Sequence, residues 1–163
     1  MRNTEAALKW IVKILKELKI PFEIDGGLAA EAYGSKRELA DIDINVPGED
    51  FDKIVPMVKE YLKFGPDWYH DDHWKIYLMT IKYGGQNIDI SPLGKISFYN
   101  KKNKKWEDYP CDMSGTRIIN LAGMDLPFVN EIKLMIYKDK LRRGVDRKDV
   151  QGMEDQLKKE WGK

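Results

Sequence analysis

Asp41-Ile42-Asp43-Ile44 is the stretch that most constrains how this chain can fold. On a β-strand, residues two apart share a face, so Asp41 and Asp43 project together while Ile42 and Ile44 turn to a core. Two carboxylates side by side repel unless a cation lies between them, and hard oxygen ligands suit Mg²⁺. Upstream, Phe22 to Asp25 reads as a short strand closed by Gly26-Gly27, with a helix over Leu28 to Ala32 starting just after. A glycine turn at a helix start leaves backbone N–H groups for phosphate oxygens. Asp25, at the turn, is expected to cap that helix or brace the glycines. Gly34 is a natural stop for it.

A third acid is expected beside the pair. Lys75 to Lys82 alternates as a strand, Gly84-Gly85 makes a hairpin turn, and Gln86 to Ser91 returns with Asp89 inside Asn87-Ile88-Asp89-Ile90. Three acids then converge from two strands. The order hydrophobic-Gly-Gly, the thirteen residues 28 to 40, and Asp-Ile-Asp-Ile resembles the nucleotidyltransferase superfamily related to DNA polymerase β. Within it, the chain looks most like the small enzymes that adenylylate lincosamide or aminoglycoside antibiotics, and like the nucleotidyltransferase toxins of abortive-infection systems. The resemblance implies transfer of a nucleoside monophosphate from an NTP, ATP foremost, to a hydroxyl acceptor, with pyrophosphate released. It implies Asp41, Asp43 and Asp89 as catalytic residues and as ligands of two Mg²⁺ ions, with Mn²⁺ the alternative metal.

The same resemblance suggests phosphate contacts from Gly26 and Gly27 through their backbone, and from Arg37, Lys138 and Arg147. Arg37 matches an arginine of the antibiotic-modifying enzymes. Lys138 falls where a family lysine meets the triphosphate, and Arg147-Lys148-Asp149 where a charged turn opens the last helix. Many relatives carry serine in place of the second glycine, which removes one hydroxyl contact here.

Length and charge fix the wider frame. The 163 residues suffice for a single domain, with a catalytic core over 1–125 and C-terminal helices over 126–163. Twenty-eight basic and twenty-seven acidic residues leave a net charge of +1, so bulk charge indicates no nucleic-acid partner. The single cysteine, Cys111, excludes an internal disulfide framework and fits a reducing cytoplasm. No apolar run reaches the ~20 residues that span a bilayer, so no membrane partner is expected.

Other segments read less sharply. Residues 4 to 19 form an amphipathic helix with Thr4 as N-cap and Leu8, Ile11, Val12 and Leu15 on its stripe, ended by Ile20-Pro21. A second helix is expected from about Asp50 to Phe64, stopped by Gly65-Pro66. Trp68 to Trp74 gathers aromatics with His70, Asp71, Asp72 and His73; it reads as a loop or hairpin rim lining the acceptor pocket, with a metal site the weaker alternative. Lys101, Lys102, Lys104 and Lys105 mark a hairpin tip, the sole support for a tRNA contact. Thr116 to Asn120 suits an edge strand. Helices follow from Glu131 to Arg142, with Ile132, Met135 and Ile136 inward, and from Lys148 to Trp161, with Asp146 as cap.

The expected fold is α+β: a small mixed, mainly antiparallel sheet flanked by helices, with a C-terminal helical pair over the triphosphate end. The acceptor is expected to be a small molecule. A toxin-type enzyme acting on tRNA or protein, and a non-catalytic domain of the same fold that binds a nucleotide or partner, are the alternatives.

Overall fold

The computed structural model describes residues 2–162. Helix α1 (Thr4–Glu17) precedes β1 (Glu23–Asp25), α2 (Gly26–Ala32), β2 (Ile42–Val46) and α3 (Phe51–Val58). Five strands follow: β3 (Leu62–His70), β4 (Trp74–Tyr83), β5 (Gln86–Pro92), β6 (Ile96–Asn100) and β7 (Lys105–Asp108). The chain ends with the hairpin β8 (Arg117–Leu121) and β9 (Met124–Phe128), then α4 (Glu131–Leu141) and α5 (Gly144–Trp161). The strands form one mixed sheet in the order β7-β6-β4-β5-β2-β1-β9-β8, with β3 also paired to β4. Only the β2–β5 and β1–β9 pairs are parallel, so the sheet is mainly antiparallel, as the sequence leads one to expect.

The centre of the sheet places an apolar rung beside a polar one. Ile24 pairs with Ile44, Ile44 with Ile90, and Ile90 with Met79, all buried. They pack with Leu8, Ile11 and Leu15 of α1 and with Phe51, Ile54 and Val58 of α3. Each such side chain contributes about 1.5–3 kcal/mol on burial. One residue away on each of these strands, after Ile24 and Met79 and before Ile44 and Ile90, the side chains point to the other face, and that rung carries the polar groups.

Several local expectations need correcting. Asn3, not Thr4, caps α1, its Oδ1 accepting from the Ala6 N–H at 2.9 Å. The second helix stops at Val58, with Pro56 inside it, and Leu62 already begins β3. Pairing with β4 turns the aromatic stretch into a strand, with register shifts between Leu62 and Asp67, around Gly65-Pro66. Helix α5 starts at Gly144, and Asp146 lies in its first turn, where its carboxylate accepts from the Arg143 N–H. Helix α4 is rotated from the expected register: Ile132 and Ile136 are exposed, while Leu134, Lys138 and Leu141 are buried.

Candidate active site

The polar rung runs Thr80, Asp89, Asp43, Asp25 across β4, β5, β2 and β1, each residue the direct cross-strand partner of the next. Asp41, two residues before Asp43, shares that face, and its charge reaches both Asp43 and Asp89. Three expected acids are therefore brought together, and Asp25 joins them as a fourth. The cost appears in their protonation. Burial, and then the charges of Asp89, Asp25 and Asp41, push the Asp43 carboxyl well above the usual range, against the pull of Lys138. Burial also lifts Asp89 to about 6, with the charge of Asp41 adding to it, although the Thr80 hydroxyl bond at 2.6 Å favours its ionised form. Among the described residues, no group of three or more His, Cys, Asp or Glu side chains closes tightly enough to enclose an ion. Asp89 is tied to Thr80, and Asp43 Oδ2 leans on Gly26. The donor set nonetheless suits a hard divalent cation, which would offset the repulsion that raises these carboxyls.

Gly26 is dictated by that contact. Its φ is +59°, and a Cβ there would lie 2.0 Å from Asp43 Oδ2. Both glycines belong to the first turn of α2 rather than preceding it. The Gly26 N–H is not free as expected, because it donates to Asp25 Oδ1 at 2.7 Å. Asp25 is itself fixed by Asn45 Nδ2 at 2.8 Å and by the Tyr109 hydroxyl at 2.5 Å, both donating to Oδ2. Glu23, two residues before Asp25 and 1% exposed, completes this buried cluster and meets Asn45 and Thr116. Burial, then the charge of Asp25, raises Glu23 to about 7. Strand alternation marks Glu23 and Asn45 in the sequence, but nothing in it points to Tyr109.

The basic residues divide. Arg37 lies against the start of α2: a Cβ on Gly27 would sit 2.7 Å from its Nη2, while its Nε donates to Asp149 Oδ1 at 2.7 Å. Lys138 is placed otherwise than expected. It is 2% exposed, and its ammonium is paired with Asp149 at 2.8 Å and Asp146 at 3.3 Å. Two buried carboxylates hold it, so it is not a free point charge offered to a triphosphate. The Ser35 hydroxyl also donates to Asp149, at 2.6 Å. Arg147 is exposed on α5, and its side chain makes no hydrogen bond or ion pair among the described residues; it lines a groove with Arg37 and Lys148 instead of reaching the acids. Arg143, which the sequence reading passes over, stacks on Trp74 at 4.4 Å, grips Asp146 at 2.7 Å and feels the charge of Asp43.

The aromatic stretch splits between the two faces of the sheet. Tyr69, opposite Ile76, lies close enough for the Asp89 charge to act on it, and its hydroxyl donates to Asp71 at 2.8 Å. The Trp74 indole N–H donates to the Tyr137 hydroxyl at 2.7 Å. Trp68 and His70 pair with Tyr77 and Lys75 on the opposite face, and His70 packs edge-on to Trp106. Asp71 caps the β3–β4 turn through the His73 and Trp74 N–H groups, so no metal cluster forms there among the described residues. The lysines of 101–105 sit at the β6–β7 turn, with Lys102 paired to Asp139 at 2.8 Å.

No known family model matches the chain, and no curated protein matches it in sequence. Solved structures do. A proposed nucleotidyltransferase from Thermotoga maritima aligns over 100% of this chain and 97% of its own, with TM-score 0.62 at 20% identity. The lincosamide antibiotic adenylyltransferase LnuA, bound to lincomycin, aligns over 94% and 98%, with TM-score 0.63 at 18% identity. ANT(2'')-Ia in complex with adenylyl-2''-tobramycin aligns over 96% and 90%, with TM-score 0.62 at 16% identity. The chain has the nucleotidyltransferase fold. No helix of the described residues is long and apolar enough to cross a membrane.

Proposed function

We propose that the protein transfers a nucleoside monophosphate from an NTP, with ATP the expected donor, to a hydroxyl of a small-molecule acceptor. The rung that pairs Asp89 with Asp43, with Asp41 beside them, carries this reading. A lone Asp-Ile-Asp could be solvated strand surface, but carboxylates held in register at a cost to their ionisation indicate a site that a ligand completes. Asp41, Asp43 and Asp89 would hold two Mg²⁺ ions with the bound NTP, or Mn²⁺ in their place. Such ions supply charge to the phosphates and lower the pKa of a bound hydroxyl.

The chain's own groups have separable tasks. Asp89 keeps Oδ1 on Thr80, leaving Oδ2 to take the acceptor's proton. The acceptor oxygen then bonds to the α-phosphorus as the bond to the bridging oxygen breaks, and pyrophosphate leaves with that electron pair. Arg37, locked by Asp149 against the first turn of α2, offers Nη2 to the phosphates. Tyr69 and Trp74 wall the acceptor side. Two of the solved structures of this fold carry lincomycin or an adenylylated tobramycin, which favours a small acceptor over a macromolecule.

The test is incubation with each α-labelled NTP, Mg²⁺ and a cell extract, followed by size separation. Label in the small-molecule fraction is the expected result. Label on RNA or protein would point to a toxin-type enzyme, and none with any NTP would leave a nucleotide-binding domain.

A further inference from the structure

A groove of about 860 Å³ runs between the turn at residues 34–38 and the outer side of α5. Lys36, Arg37, Arg147, Lys148, Lys158 and Lys159 line it, against only two acids, Glu38 and Asp155. Both acids are engaged: Glu38 pairs with Arg2 at 2.8 Å, and Asp155 accepts from Gln151 at 2.8 Å. Apart from Arg37, none of the six cations has a carboxylate partner among the described residues. On a chain whose net charge is only +1, this is a segregation of charge, with the acids gathered in the cleft and the cations in the groove.

We propose that this groove holds the phosphodiester backbone of a nucleic-acid chain. Lys148 and Lys159 lie eleven residues apart on one helix, about 16 Å at 1.5 Å per residue, further than the triphosphate of one nucleotide extends. A row of phosphates is the anion that spans such a distance. None of the lining residues is aromatic, so the groove offers nothing for bases to stack on and reads charge, not sequence. Its inner end is Arg37, whose Nη2 lies against Gly27, so a bound chain would pass beside the candidate active site. This binding does not depend on turnover, and it survives if the proposed reaction is wrong.

The experiment is fluorescence anisotropy of a short labelled single-stranded RNA of mixed sequence, titrated with the full chain over a range of salt. Lys148→Glu, Lys158→Glu and Lys159→Glu are combined in one variant. The control variant combines Lys101→Glu, Lys104→Glu and Lys105→Glu, which changes net charge equally at the β6–β7 turn, none of whose residues lines the groove. The groove variant should bind at least about tenfold more weakly and lose about 2 from the slope of log affinity on log salt, since each phosphate contact contributes roughly 0.7. The control should keep both affinity and slope. Equal losses in the two variants would reduce the effect to bulk charge and overturn the proposal, as would no binding by the wild type at low salt. Displacement of the RNA by stoichiometric ATP with Mg²⁺ would overturn it too, by making the groove part of the nucleotide site. Circular dichroism melts of both variants establish that each is folded.

Discussion

Asp43 and Asp89 are direct partners on adjacent parallel strands, so their carboxylates share one face with no residue between them. In the absence of a cation this pairing costs stability, because burial and mutual repulsion both oppose ionisation of Asp43. Asp43→Asn should therefore leave the melting temperature unchanged or raise it without divalent ions. Mg²⁺ with NTP should raise the melting temperature of the wild type by linkage and not that of the variant. A marked fall in stability for Asp43→Asn would make the pair a structural element instead.

Glu23 gives the fold a pH dependence of definite sign. Its carboxyl is raised from 4.5 to about 7 in the folded chain, so between those values the native state binds more protons than the unfolded one. Its contribution is most favourable below pH 4.5 and is lost as pH rises through 7, by at most about 3 kcal/mol. Glu23→Gln should flatten that part of the stability profile and be the more stable form at pH 8. Urea unfolding of both proteins at a series of pH values measures it. Parallel profiles would show that Glu23 remains ionised.

Lys138 anchors α4 to α5 between Asp146 and Asp149. Lys138→Met leaves Arg143 and Arg37 as the cations on those buried carboxylates, with the Ser35 hydroxyl still on Asp149, and should cost on the order of 3 kcal/mol of stability. Lys133→Met, at a surface ion pair with Asp112, should cost under about 1 kcal/mol. Denaturant midpoints separate the two. Full stability with lost nucleotide affinity in Lys138→Met would return the lysine to the triphosphate.

How much of this was legible follows from the range of the interactions. Asp41, Asp43, Ile42 and Ile44 are sorted by strand alternation alone, a rule that acts within a few residues, and so is the burial of Ile88 and Ile90 beside Asp89. Asp25 as a cap is likewise local. Helix α4 defeats the same kind of reading because apolar residues lie on both sides of it. Ile132 and Ile136 make as good a stripe as Leu134 and Leu141, and the inward face is chosen by carboxylates on another helix. Strand β3 was hidden because Leu62 continues the spacing of the preceding helix, and only pairing with β4 decides otherwise. Tyr109 meets Asp25 across 84 residues, a contact with no local trace.

Gly152 shows a long-range contact overriding propensity. In a helix interior, Gly→Ala normally gains about 1 kcal/mol. Here a Cβ would come within 2.8 Å of Ser35 Cα and 3.1 Å of the Gly34 carbonyl oxygen, both backbone atoms. Gly152→Ala should instead destabilise, by about 1–3 kcal/mol, because α5 must move off the turn that carries Ser35 and Arg37. A rise in the denaturation midpoint would mean that α5 can shift outward without loss.

Asp89 is the residue that best separates a working transferase from a nucleotide-binding remnant. Ground-state binding of one Mg²⁺–NTP needs Asp41, Asp43 and the phosphate oxygens, and none of these contacts requires Asp89. Transfer requires that a proton leave the acceptor hydroxyl, and Asp89, with Oδ1 already committed to Thr80, has Oδ2 available to receive it. Asp89→Asn preserves the Thr80 bond through its amide oxygen and removes only the basic site. Affinity for Mg²⁺–NTP is expected to stay within a few-fold, while transfer falls by ~10² or more, the scale on which a lost general base is felt. Calorimetry supplies the first quantity and single-turnover kinetics the second. Intact turnover in Asp89→Asn would move the base elsewhere, with Asp71, bonded to Tyr69 at the same cleft, the next acid to test. Loss of binding would instead show that Asp89 already holds the ion of the ground-state complex.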